Sequence, residues 1–109
     1  PWGDTIKSNQ CNGCAETDGG PAVAGSYPPN GFGLYDMHGN VEEWVADCYA
    51  DYALTRGNDA SPQGPATDCE SRATRGGYWA DQSEWLRSAY RKARDVPANS
   101  TGFRVARSL

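Results

Sequence analysis

The stretch that most constrains this chain is Gly31-Phe-Gly-Leu-Tyr-Asp-Met-His-Gly-Asn-Val-Glu-Glu-Trp44. Glycines, an asparagine and carboxylates are interleaved there with Phe32, Leu34, Tyr35, Met37, Val41 and Trp44. This pattern predicts a tightly bent backbone carrying acids between buried anchors. An oxygen-lined cation site can be built in this way. Calcium takes several oxygens from carboxylates and backbone carbonyls of a folded-back loop; Asp36 and Glu43 supply charge, and Gly39 permits the dihedrals such a loop needs. The spacing is not that of an EF-hand. A plainer reading stays open, in which Asp36 and Asn40 satisfy turn backbone groups and Glu43 is solvated.

At 109 residues, with no apolar run long enough for a membrane-spanning helix and no evident signal peptide, the chain reads as one soluble domain with a modest core. Its 13 glycines, 7 prolines, 4 tryptophans and 6 tyrosines describe a loop-rich fold in which aromatics and fixed turns replace long amphipathic helices. The formal net charge is −4, unevenly spread. Residues 1–71 carry eleven acids and two bases, hence −9; residues 72–109 carry three acids and eight bases, hence +5. An acidic neighbour inside one small domain pairs with the basic segment internally, and no basic patch with free aromatics points to nucleic acid. Neither nucleic acid nor membrane is expected as a partner.

Cys11, Cys14, Cys48 and Cys69 allow three complete pairings. A zinc site usually shows two close pairs, and Cys48 and Cys69 are too far apart to form the second. Cys11-Asn-Gly-Cys14 lies in a Gly/Asn-rich loop without the strand-to-helix pattern of a redox Cys-x-x-Cys. The preferred assignment is Cys11–Cys14 and Cys48–Cys69. If these form in the cell the chain is periplasmic or secreted; otherwise it is cytoplasmic.

Along the chain, irregular loop is expected to about residue 30, punctuated by Gly19-Gly20-Pro21 and Pro28-Pro29-Asn30. A single helical turn over 33–37 and a strand over 41–49 follow. Residues 51–68 read as a surface excursion clamped by Cys48 and Cys69. Strands are expected over 72–79, 86–91 and 102–106, with a loop or helical turn at 80–85 and a polar link at 94–101. Arg75, Arg87, Arg91 and Arg104 are candidates for internal ion pairs.

Gly33-Leu-Tyr-Asp-Met37, Gly39-Asn-Val41, Glu43-Trp44, Arg75-Gly-Gly77, Leu86-Arg-Ser-Ala89 with Arg91, and Gly102-Phe-Arg-Val-Ala106, in that order, resemble the formylglycine-generating enzyme family, the sulfatase-modifying factor domain. Pro1-Trp-Gly-Asp4 and Pro28-Pro-Asn30 look like further motifs of it. The resemblance covers essentially all of residues 1–109, as the C-terminal half of one such domain that a missing N-terminal segment would complete. It implies an irregular α+β fold related to the C-type lectin fold. It also implies a calcium site in which Asp36 and Glu43 offer side chains and Gly39 and Val41 offer carbonyls. Glu42 stands where the family usually has Trp, so an aromatic anchor is lost beside that site. A second calcium site would use Asn9 and Asp18 with the carbonyls of Gln10 and Gly20, although the loop is short there and carries Cys11 and Cys14.

The family's oxidase chemistry needs two cysteines after the Arg-Gly-Gly strand, which bind copper. This chain has none after Cys69, and Asp81 sits about where the first would be. A carboxylate does not replace a thiolate for copper(I), so no copper is expected. Three functions follow. The first is a non-catalytic binding or regulatory module in a larger, possibly cleaved bacterial protein, holding a protein or peptide at Trp79, Asp81, Glu84, Trp85 and Tyr90. The second is an oxidoreductase acting on cysteine or another thiol; iron-using relatives need histidines from another domain, and His38 is the only one here. The third is the ligand-binding region of a caspase-like protease, a kinase or a diversified lectin-like protein. The N-terminal remainder of the parent protein is expected to pack against this chain.

Overall fold

In the computed structural model, residues 3, 6–14, 19–50, 62 and 68–107 are described. Four strands form one mixed sheet: β1 (Glu42–Cys48), β2 (Arg72–Arg75), β3 (Lys92–Arg94) and β4 (Thr101–Phe103). Their spatial order is β3-β2-β1-β4. β1 is antiparallel to β2 and β2 to β3, whereas β4 runs parallel to β1 with Glu43 opposite Gly102. The one regular helix among the described residues is a 3-10 turn, Ser83–Leu86. Irregular backbone accounts for much of the rest, as expected of an α+β chain rich in glycine and proline.

β1 forms inside a run without Gly or Pro, residues 41–56, as expected from residues 41–49. β2 is shorter than the expected 72–79, because Gly76 and Gly77 both take positive φ and turn the chain out of the sheet. The expected strand over 86–91 does not form. Leu86 instead ends the 3-10 turn and is buried against Gly77, where an added Cβ would lie 2.6 Å from Leu86 Cδ2. The third strand starts at Lys92. The expected helical turn over 33–37 is also absent, since Asp36 adopts a φ of 52°, outside the right-handed helical region. Of the expected excursion over 51–68, residues 51–61 and 63–67 lie outside the described residues, as does most of the motif at 1–4.

Among the described residues the fully buried apolar side chains are few: Cys11, Ala73 and Leu86. Around them the interior is polar, with Glu42, Thr74, Asp81, Asn12 and Asn40 all buried. The expected anchors Phe32, Leu34 and Tyr35 are not buried; Phe32 is 89% exposed, and Phe103 and Val105 are similarly open. The Arg104 guanidinium reaches the Tyr35 carbonyl at 2.8 Å, so the segment leaving β4 runs beside the 31–36 loop.

Both disulfides pair as the order of the cysteines suggested. Cys11 joins Cys14 with Cα atoms 5.2 Å apart, and Cys48 joins Cys69 at 5.4 Å. The second brings the residues before β2 back to the end of β1.

Candidate functional site

Asn12, in the small disulfide ring, docks on the bend at 38–40. Its carbonyl accepts the Asn40 N–H at 2.8 Å, and its amide donates to the Gly20 carbonyl and to Asn40 Oδ1. Asn40 Oδ1 also takes the Ala22 N–H at 2.8 Å. The bend is tied on its other side as well, because Gly39 N–H donates to the Gly76 carbonyl and the Asn40 carbonyl accepts from Trp79 N–H. Asn40 holds a φ of 64°, which asparagine tolerates better than most residues. Sequence reading had Asn40 as a local turn residue; it is the hub joining four segments.

Of the two carboxylates expected to hold a cation, Glu43 is paired with a guanidinium. Glu43 accepts three hydrogen bonds from Arg104, the shortest 2.7 Å. These bonds raise the Arg104 pKa above its ordinary value; burial opposes them, and the charges of Glu43 and then Asp36 add to the rise. Asp36 Oδ2 also accepts the Gly25 N–H at 2.7 Å. Among the described residues no three His, Cys, Asp or Glu side chains come together as a metal cluster. A cation here would therefore have to draw on backbone oxygens such as those of Gly39 and Val41. At the second expected site Asn9 is exposed and Gln10 closes a turn with Lys7. The Gly20 carbonyl is engaged by Asn12, and Asp18 lies outside the described residues.

Strand alternation sends Glu42 to the opposite face from Glu43. There Glu42 is 1% exposed and accepts from Arg94 Nε at 2.6 Å and from Thr74 Oγ1 at 3.2 Å. The acid standing where the resemblance expects Trp is thus the centre of a buried ionic network. Lys92 extends it, with Nζ 3.8 Å from Glu42 and 2.6 Å from both oxygens of Asp81. Lys92 and Arg94 were not singled out in the sequence. Of the arginines that were, Arg104 forms an ion pair, while Arg75 and Arg87 donate to the carbonyls of Ser88 and Glu84.

Of the five residues expected to form a binding surface, Glu84 and Trp85 are exposed and Tyr90 is half-buried. The Trp85 and Tyr90 rings stack 6.0 Å apart at 13°. Trp79 is half-buried edge-on to Tyr78. Asp81 does not belong to that surface. Its carboxylate is fully buried beneath it by Lys92 and by the Tyr78 N–H, which reaches Oδ2 at 3.1 Å. His38 also supports the patch from below: its Nδ1 donates to the Leu86 carbonyl at 2.5 Å. Burial lowers the His38 pKa more than this bond raises it.

A glycine-rich bend thus feeds β1 of a small mixed sheet, with the Arg-Gly-Gly turn tied beside it. Residues 1–109 match the sulfatase-modifying factor enzyme 1-like domain, and the chain belongs to that family. It is 41% identical to the serine/threonine-protein kinase Pkn1 of Chlamydia pneumoniae over 114 residues, which is 100% of this chain and 18% of that protein. It is 31% identical to the inactive C-alpha-formylglycine-generating enzyme 2 of Bos taurus, covering 97% of this chain and 36% of the relative. Among solved structures, PvdO from Pseudomonas aeruginosa superimposes with a TM-score of 0.74 at 37% identity, over 87% of this chain and 38% of that one. The chain thus spans only a minor part of the length of these relatives.

Proposed function

We propose that this chain is a non-catalytic binding or regulatory module within a larger bacterial protein, built on a C-type-lectin-like framework. The observation that carries the reading is the fate of the position after the Arg-Gly-Gly turn. Asp81, which stands about where the resemblance puts the first copper-binding cysteine, is sealed in a buried pair with Lys92. The structural framework around it is kept, including the Asn40 hub and the stacked Trp85–Tyr90 pair. A relative whose name calls it inactive supports the same reading.

The ligand is a protein or peptide held at Glu84, Trp85 and Tyr90, with Trp79 at the margin. Exposed aromatics beside a charged rim suit such contacts. The exposed apolar side chains Phe32, Leu34, Tyr35, Phe103 and Val105 are covered by the N-terminal remainder of the parent protein. The cation loop binds calcium through the side chains of Asp36 and Glu43 and the carbonyls of Gly39 and Val41. The ion would take the place that Arg104 holds on the two Glu43 oxygens, with Asp36 close enough to act on the same charge. Bound there, calcium supplies structural cross-bracing of the loop.

The test is a triple alanine variant at Glu84, Trp85 and Tyr90 in the full-length protein, with capture of its binding partners and circular dichroism on the same sample. Loss of partner binding with an unchanged fold is expected. Full retention of every partner would sink the surface assignment, and oxygen consumption with thiol peptides above a metal-free control would restore an oxidoreductase.

A further inference from the structure

The Lys92–Asp81–Glu42 cluster has a geometry that neither the cation loop nor the binding surface uses. The side chains of Asp81 and Glu42 are 0% and 1% exposed, and that of Lys92 is 18% exposed. Lys92 Nζ lies 2.6 Å from both Asp81 oxygens and 3.8 Å from Glu42 Oε2. Two aromatic rings close over it, Tyr78 at 4.6 Å and Trp85 at 5.2 Å. Each member is held by other groups. Asp81 is fixed by its own N–H to the Tyr78 carbonyl and by the Tyr78 N–H to its carboxylate. Glu42 is gripped by Arg94 and Thr74, and Lys92 projects from a paired strand. A nucleophile and a carboxyl group are thereby held at contact distance, with a second buried carboxylate 3.8 Å from the nitrogen. As a mere ion pair the arrangement gains little, since desolvation of both charges offsets their attraction.

We propose that Lys92 and Asp81 become joined by an intramolecular amide between Nζ and Cγ, formed by the protein itself with Glu42 as the proton relay. One proton first passes from the ammonium to an Asp81 oxygen across the 2.6 Å contact, leaving an amine and a carboxylic acid. The nitrogen lone pair attacks Cγ and forms the N–C bond. Glu42 takes a proton from the positively charged nitrogen and delivers it to the hydroxyl of the tetrahedral adduct. The C–O bond then breaks, water leaves, and Glu42 ends as the carboxylate it began as. Nothing is oxidised or reduced, and the only by-product is water. The rings of Tyr78 and Trp85 lie over the reacting nitrogen and cover part of it from solvent. The amide would close residues 81–92, the segment that carries Glu84, Trp85 and Tyr90, into a covalent loop. The inference stands on this geometry whether or not those residues bind a partner.

Mass spectrometry of a tryptic digest of the reduced full-length protein tests it. Trypsin cuts after Arg75, Arg87, Arg91 and Arg94, so the expected product is a branched peptide joining residues 76–87 to 92–94, one water lighter than the two together. Cleavage after Lys92 is lost. Lys92→Arg keeps a cation beside Asp81 but abolishes the branched peptide, and Glu42→Gln slows its appearance after refolding by about a hundredfold. Recovery of the 76–87 peptide unlinked and at full mass from wild-type protein would overturn the proposal and leave an ion pair. Formation at the wild-type rate in Glu42→Gln would overturn the relay.

Discussion

Replacing Gly39 with alanine puts a methyl group where the fold has a backbone carbonyl. The new Cβ would lie 2.1 Å from the Asn12 oxygen and 3.2 Å from Cys11 Sγ. Asn12 therefore has to retreat by about an ångström to restore an ordinary contact. That carbonyl accepts the Asn40 N–H at 2.8 Å, so the retreat breaks the bond and strands a buried donor, costing about 1–3 kcal/mol. The φ of 73° at Gly39 adds roughly 1–2 kcal/mol for a residue with a Cβ. Together these come to roughly 3–4 kcal/mol, a large part of the 5–15 kcal/mol that about this size of domain possesses. Urea denaturation followed by tryptophan fluorescence measures it directly. A destabilisation under about 1 kcal/mol would refute the account of the bend. A second arm asks what holds the carbonyl in place. If it is the Cys11–Cys14 ring, Gly39→Ala costs about 1 kcal/mol less in a Cys11→Ser, Cys14→Ser background. Strict additivity would show that the ring is not the restraint.

Three further outcomes follow from the same contacts. Replacing Cys48 and Cys69 by serine opens a closure with a sequence separation of 21 and lowers stability by roughly 3 kcal/mol in the chain-entropy model; an unchanged denaturation midpoint would contradict it. His38 has a lowered pKa in the fold, so the unfolded chain takes up its proton first as the medium is acidified. Its contribution is complete above the unfolded value of about 6.5 and is lost as pH falls from there through the folded value. The slope of stability against pH in that window flattens in His38→Gln; equal slopes would remove His38 as its source. Calcium raises the melting temperature of the wild type, and Asp36→Ala with Glu43→Ala abolishes the rise; a rise that persists in the variant would place the ion elsewhere.

The elements that the sequence made legible are those whose residues speak for themselves locally. β1 lies in an uninterrupted run without glycine or proline, residues 41–56, and the disulfides followed from the order of four cysteines. The third strand was misplaced because alternation in 86–91 comes from Leu86, which serves the 3-10 turn by burying against Gly77. The true strand, Lys92–Arg94, carries no large apolar residue to mark it. Its side chains face acids rather than a hydrophobic layer, and period-two hydrophobicity is blind to such a strand. Phe32 and Leu34 misled in the opposite sense. Their apolarity was read as burial, yet they lie on an open face.

The charge asymmetry carried more information than its sum suggested. A +5 segment beside a −9 segment predicted internal pairing, and Arg94–Glu42 and Arg104–Glu43 are pairs of that kind. What no sum can supply is the assignment of partners, which depends on the face each strand presents. Adjacent acids at 42 and 43 point to opposite sides of β1. One therefore pairs with Arg104, and the other belongs to a buried cluster with Arg94 and Lys92. Read singly, Glu42 was a lost aromatic anchor. Read with the sheet register, which sets Thr74 opposite both Trp44 and Lys92, it is the residue around which a polar interior is arranged. A carboxylate so placed needs cations from β3, and this explains why the shortest strands of the sheet include one built of Lys and Arg.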